Sequence, residues 1–141
     1  AIVGDGGFQM TQAELATAIV NKLPIKILLI NNAYLGMVRQ WQNLFYENRL
    51  SGVDMTGNPD FVKLAESYGV KAFRVKRSAD VRRMVTNFLS YNDGPSLLDV
   101  EVEKEDNVFP MIPAGKSLSD MILEPSQQKL NVPEVLTVGQ N

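Results

Sequence analysis

The sequence contains no cysteine and no histidine. Without cysteine there is no disulfide, thiol nucleophile or thiolate metal site. Without histidine there is no Ser-His-Asp triad and no imidazole to ligate zinc. Long apolar runs are missing too: the longest is Ile27–Ile30, far short of a membrane span, and no basic start followed by an apolar core marks a signal peptide. Basic excess is also absent, with 14 Lys+Arg against 16 Asp+Glu, so nothing marks a nucleic-acid surface. The basic residues between Lys71 and Arg83 are interrupted by Asp80 and read as a solvated face. Catalysis, if present, falls to carboxylates, amides, backbone groups or a cofactor. A hard cation with oxygen ligands remains compatible with Asp and Asn.

What is present is one domain's length, 141 residues of which 45% are hydrophobic, enough for a real core. The chain opens on "AIVGDGG" without a Met; this reads as a strand running into a turn, and a chain cut from something longer is expected. Thr11-Gln12-Ala13-Glu14 matches a capping box, with Leu15, Ile19 and Leu23 at helical spacing and Pro24 as a stop. "IKILLI" reads as a central parallel strand covered on both faces. A helix is expected from about Leu35 through Trp41 and Phe45, then a loop over "ENRLSGVDMTGNPD". Asn58-Pro59-Asp60 opens a helix that places Phe61, Leu64, Ala65 and Tyr68 on one face, with Gly69 as its stop. "KAFRV" is a strand, Ser78 caps a helix carrying Val81, Val85, Phe88 and Leu89, and "SLLDVEV" is the last strand. The order β-α-β-α-α-β-α-β implies an α/β fold, a parallel sheet covered by helices on both faces. "NVFPMIPAGKSLSDMI" is expected to pack over that domain. A domain over residues 1–124 and a polar tail over 125–141 are expected.

Two polar insertions interrupt this pattern: Gly4-Asp5-Gly6 after the first strand and Asn31-Asn32 after the second. Ligands of parallel α/β sheets sit outside the carboxyl ends of the strands. If the two strands are neighbours, Asp5 and Asn32 converge there, an anionic and a neutral oxygen suited to Mg2+ carrying phosphate. Glycine lets the backbone approach the phosphate closely, and a helix N-terminus offers N–H groups. Taken singly, a GDG is more often a turn, and an Asn pair after a strand is more often turn chemistry or a cap. The joint spacing, with strand, helix and strand in register, is the specific signal.

On those residues the chain resembles the thiamine-diphosphate enzymes, whose diphosphate-binding motif pairs GDG with a later NN. "GDGGFQMTQAELATA", "NNAYLGMVRQWQNLFYENR", "NPDFVKLAESYGV" and "NVFPMIPAGKSLSDMI" are similar to consecutive blocks of the C-terminal cofactor domain of acetolactate synthase (acetohydroxyacid synthase) large subunits, over roughly Ala1 to Glu124. The resemblance implies the thiamine-diphosphate-binding fold as a partial domain. It implies Mg2+ ligation by Asp5, the Asn32 side chain and the Tyr34 backbone carbonyl. It places Asp5, Gly6, Gly7, Asn32, Tyr34, Gly36 and Met37 at the cofactor, with Gly6 and Gly7 against the diphosphate. Many relatives carry Ser where Gly7 stands, so only backbone donation remains there. Asn31 is expected to hold the turn rather than bind metal. Met37, Trp41, Phe45 and Ala114 match positions lining the substrate channel, and Trp41 matches the position that biases the choice of second 2-keto acid. Core packing is the alternative for Trp41 and Phe45.

The implied reaction decarboxylates pyruvate on thiamine diphosphate and joins the two-carbon unit to a second pyruvate or to 2-ketobutyrate, in branched-chain amino acid biosynthesis. The cofactor carries the hard step, which accords with a chain lacking His and Cys. No catalytic residue is assigned within the chain. The glutamate that activates the cofactor belongs, in the family, to a pyrimidine-binding domain of the neighbouring subunit, and Glu14 does not match it. The fragment alone is therefore expected to be inactive. The family also implies FAD in the intact enzyme, with no residue of this chain assigned to it. A homodimer or tetramer, and a regulatory small subunit, are further implications. No nucleic-acid or membrane partner is expected. A cytoplasmic location is expected, with a plastid or mitochondrial leader upstream of Ala1 left open. The competing readings are another thiamine-diphosphate carboligase, decarboxylase or oxidase, and a non-catalytic diphosphate-binding module.

Overall fold

β-branched and aliphatic stretches pair as a four-stranded, all-parallel sheet in the order β1-β2-β4-β3. The strands are β1 (Ile2–Gly4), β2 (Lys26–Asn31), β3 (Lys71–Val75) and β4 (Ser96–Glu101). The helices are α1 (Asp5–Thr11), α2 (Leu15–Val20), α3 (Gly36–Phe45), α4 (Phe61–Ser67) and α5 (Val81–Ser90). The computed structural model describes residues 1–124, so the tail expected beyond them lies outside the described residues. Two units emerge. One comprises Ala1–Leu35 and Asp54–Glu105; the other comprises, among the described residues, Gly36–Val53 and 106–124. Among the described residues, no helix is long and apolar enough to cross a membrane.

In the first unit the pleat sorts side chains between two cores, because successive strand residues point to opposite faces. Ile27, Leu29 and Leu97 meet Phe8 of α1, Leu15 of α2, and Phe61 and Ala65 of α4 on one face. Leu28, Leu98, Val100, Phe73 and Val75 meet Met84, Val85 and Phe88 of α5 on the other. Helices thus cover both faces, as the order of elements implies. The split follows from strand order: β1→β2→β3 advances across the sheet and β3→β4 returns, so crossovers of one hand place their helices on opposite sides.

Local signals fail at two helix starts. The expected capping box at Thr11 is not formed; Thr11 makes no side-chain cap bond, and a 3-10 turn over Gln12–Glu14 joins α1 to α2. The helix starts at Asp5 instead, straight off β1, because burying Phe8 beneath the sheet requires the chain to turn there at once. Ser78 likewise opens a 3-10 turn instead of capping, and Asp80 accepts from Arg77 and Arg83. On α5, Met84 joins Val85 and Phe88 in the core, whereas Val81 and Leu89 are exposed.

The start of α4 forms as the sequence implies. Asp60 is its N-cap, accepting from the N–H groups of Val62 (3.1 Å) and Lys63 (3.2 Å). The same carboxylate takes Arg74 Nη2 at 2.6 Å, so Arg74 departs from the solvated face expected for the basic cluster. Hydrogen bonds from Arg74, then from the Lys63 N–H, lower the Asp60 carboxyl from 3.8 to about 2. A carboxylate with a depressed folded pKa stabilises the fold above its unfolded value and loses that contribution as pH falls through the folded one. Asp60→Ala is therefore expected to lower stability by about 1–2 kcal/mol at neutral pH, mostly as a lost cap. Urea unfolding across pH should also show a flatter acid limb between 3.8 and 2.

In the second unit α3 buries polar residues, Arg39 and Gln40. Gln40 clamps the backbone of Val108, accepting its N–H at 2.7 Å and donating to its carbonyl at 2.9 Å. Arg39 Nη1 donates to Asn107 Oδ1 at 3.0 Å, and Asn107 donates to Asn43 at 2.8 Å. The "NVFPMIPAGKSLSDMI" segment thus groups with α3 within this unit.

Candidate functional site

β1 and β2 are neighbours, with Gly4 opposite Ile30. The segments that leave them, Asp5-Gly6-Gly7 and Asn31-Asn32-Ala33, therefore start side by side at the carboxyl end of the sheet. Asp5 is 1% exposed. Its Oδ2 accepts from Asn58 Nδ2 at 2.9 Å, and Gln9 in turn donates to Asn58 Oδ1. Burial pushes the Asp5 carboxyl above its usual value, against the pull of the Gly6 and Asp5 N–H groups, the Asn58 amide and the Ala33 N–H.

The Asn31–Ala33 turn is held by side chains. Asn31 Oδ1 accepts the Ala33 N–H at 3.3 Å, and Asn31 Nδ2 donates to Asp99 Oδ1 at 3.1 Å. Asn32 Oδ1 accepts the Tyr34 N–H at 3.1 Å. Ala33 sits at φ +54°, a left-handed conformation that costs a Cβ-bearing residue roughly 1–2 kcal/mol. Its carbonyl accepts from the Met55 N–H at 2.9 Å, and Tyr34 bridges Asp54 in antiparallel fashion. Lys104 Nζ lies 5.0 Å from the Tyr34 ring centroid.

Gly6 is required by its neighbours: a Cβ there would sit 2.5 Å from Leu35 Cδ2 and 3.1 Å from Met55 Sδ. Gly7 is exposed. Beside the turn lies a cavity of about 410 Å³ whose walls include Asn32, Asn58, Asp60, Arg74 and Lys104. No cluster of three His, Cys, Asp or Glu suited to a metal occurs among the described residues. The ligands expected from the sequence, the Asp5 carboxylate, the Asn32 amide oxygen and the Tyr34 carbonyl, are all hard oxygens. This suits Mg2+, which takes one or two carboxylates and completes its shell with phosphate and water.

The remaining predicted residues lie in the second unit. Gly36 and Met37 begin α3, and Met37 is 78% exposed. Met37 and Trp41 line one cavity of about 630 Å³ with Val38, Gln42, Tyr46 and Arg49. Phe45 stacks on Trp41, centroids 5.1 Å apart at 56°, and is absent from that lining. So is Ala114, which is exposed in a turn. Sequence reasoning missed Asn58 as the partner of Asp5, and it missed Asp99 and Arg74. A lone Asp in the apolar strand "SLLDVE" and a lone Arg in "KAFRV" were the available signals, since a buried charge needs a partner.

A parallel α/β sheet with a buried carboxylate and an amide turn at its carboxyl edge has polar groups where α/β ligand-binding domains take their ligands. The particular family follows from comparison. Residues 1–100 match the model of the thiamine pyrophosphate enzyme C-terminal TPP binding domain, and the chain belongs to that family. It is 47% identical over 125 residues to the mitochondrial acetolactate synthase of Schizosaccharomyces pombe, covering 89% of this chain and 18% of that protein. To the acetolactate synthase isozyme 2 large subunit of Escherichia coli it is 43% identical over 121 residues, covering 86% and 22%. Among solved structures it is similar to a thiamine diphosphate-dependent 4-hydroxybenzoylformate decarboxylase of Rhodococcus jostii, with TM-score 0.67 and 30% identity, covering 74% and 19%. The chain thus spans about one fifth of the length of these relatives.

Proposed function

We propose that this chain is the C-terminal cofactor-binding part of an acetolactate synthase large subunit. The carboxylate of Asp5, the Asn32 amide oxygen and the Tyr34 carbonyl would hold Mg2+, and through it the diphosphate of thiamine diphosphate. The observation that carries this reading is Asp5: a nearly inaccessible carboxylate, raised by burial, at the end of β1 where β2 is its neighbour. Such a group is poorly stabilised without a cation. Bound thiamine diphosphate supplies the electron sink for decarboxylation and carbon–carbon bond formation. The work left to this chain is to bind, orient and exclude water. Gly6 keeps the backbone close and Asn58 fixes one carboxylate oxygen of Asp5; in the second unit, Met37 and Trp41 would supply apolar lining for a 2-keto acid.

The sequence relatives favour acetolactate synthase over a decarboxylase, at 47% identity against 30% for the decarboxylase structure. Pyruvate with a second pyruvate or 2-ketobutyrate as substrates, FAD, a homodimer or tetramer, a regulatory subunit and a cytoplasmic site of action belong to the same proposal. So does an activating glutamate supplied from outside this chain. The test is acetolactate formation from pyruvate by the full-length protein with Mg2+ and thiamine diphosphate, beside residues 1–141 alone. The full-length protein should form acetolactate and the fragment should not. Acetaldehyde as the sole product of the full-length protein would move the assignment to a decarboxylase.

A further inference from the structure

The residues that hold the metal-side turn are themselves held from below. Asp99 is fully buried in β4 and lies beside Arg74 in the β3–β4 register. It accepts from Asn31 Nδ2 at 3.1 Å and from Arg74 Nε at 3.0 Å. Arg74 forks onward to Asp60, at 2.6 and 3.2 Å, two residues past the Asn58 that grips Asp5. Asn31, Asp99 and Arg74 fall on one face of the sheet, because side chains two apart share a face and the registers align them. The orientation of the Asn31 amide is forced. Its one oxygen faces an N–H and its NH2 faces a carboxylate, which can only accept.

Ala33 shows why such support is needed. Its left-handed φ of +54° is unfavourable for a residue with a Cβ, so the hydrogen bonds at its carbonyl, from Met55, and at its N–H must hold it. At the N–H the acceptor is Asn31 Oδ1, at 3.3 Å. We propose that Asn31, anchored by the buried Asp99–Arg74 pair, is a positioning residue that keeps Ala33 left-handed and thereby aims Asn32 and the Tyr34 carbonyl at the divalent cation. The inference rests on the metal reading of Asp5 and Asn32. It assigns a role to Asp99 and Arg74, side chains that never touch the cation.

The test is titration of the full-length protein with Mg2+ in the presence of thiamine diphosphate, followed by calorimetry, with thermal unfolding in chelator as a second readout. Asn31→Ala and Asp99→Asn should each raise half-saturating Mg2+ by about 10–100-fold, the range for partners that orient a ligand. Asp99→Asn fails because one amide cannot accept from both Asn31 and Arg74 without turning its own NH2 toward a donor. The exchange Asn31→Asp with Asp99→Asn restores every bond. The carboxylate introduced in β2 accepts both the Ala33 N–H and the NH2 of the amide introduced in β4, whose oxygen accepts Arg74. The exchange should return half-saturation to within about threefold of wild type, a rescue that general loss of packing would not give. Half-saturation that close to wild type for Asn31→Ala, or an exchange no better than Asp99→Asn, overturns the proposal while leaving the metal reading intact. Unchanged Mg2+ binding in Asp5→Asn removes the metal reading, and the proposal with it.

Discussion

Asp5→Asn is expected to abolish Mg2+-dependent retention of thiamine diphosphate by the full-length protein without lowering the stability of the metal-free protein. Orienting partners of a metal ligand are worth about 10–100-fold in affinity, and loss of the proposed carboxylate ligand should exceed about 100-fold. The stability half of the expectation follows from the raised pKa, whose main cause is burial. Above the ordinary value of 3.8 the unfolded chain is ionised, whereas the folded protein keeps its proton until the higher folded value is reached. Stability therefore falls as pH rises through that window, and at neutral pH the ionised Asp5 is a net cost that asparagine removes. The same proton competes with the cation, so Mg2+ affinity of the wild type should fall as pH drops through the raised pKa. Thermal unfolding in chelator and in Mg2+, for both proteins, separates the two effects. A variant less stable than wild type in chelator would place Asp5 among structural hydrogen-bond acceptors instead.

Phe61→Ala should have the largest effect on the fold, about 3–5 kcal/mol. The ring is fully buried and packs edge-on against Phe8, centroids 5.7 Å apart at 73°. Phe8 stands one helical turn after Asp5, and Phe61 directly follows Asp60 at the head of α4. The aromatic contact therefore fixes the distance between Asp5 and its partner Asn58. Urea unfolding should show the stability loss, and at low denaturant the folded fraction should also need more Mg2+. Phe61→Leu should lose distinctly less on both counts. A Phe61→Leu variant with the wild-type Mg2+ requirement would mean that ring geometry at this contact is irrelevant.

The elements legible in the sequence are those fixed by burial period. "KILLI" alternates between two cores, and "FVKLAESYG" carries its apolar stripe and its Gly69 stop at φ +84°. The capping signals at Thr11 and Ser78 failed for one reason. Both motifs describe a helix entered from a loop, whereas Thr11 lies at the end of a helix already begun by the demand to bury Phe8, and Ser78 lies within a tight turn. At the site, Asp5 and the Asn31-Asn32 pair were legible because polar residues at strand ends are anomalous. Asn58 was not, since it reaches Asp5 from a loop 53 residues away; nor were Asp99 and Arg74, whose roles arise from strand order: β4 inserts between β2 and β3. Only that insertion brings Asp99 between Asn31 and Arg74.

The most direct test is a crystal structure of the full-length protein with Mg2+ and thiamine diphosphate bound. Asp5 Oδ and Asn32 Oδ1 should both lie at about 2.0–2.2 Å from one octahedral cation that also carries diphosphate oxygens. A cation held without either side chain, or a diphosphate seated at another edge of the sheet, would contradict it.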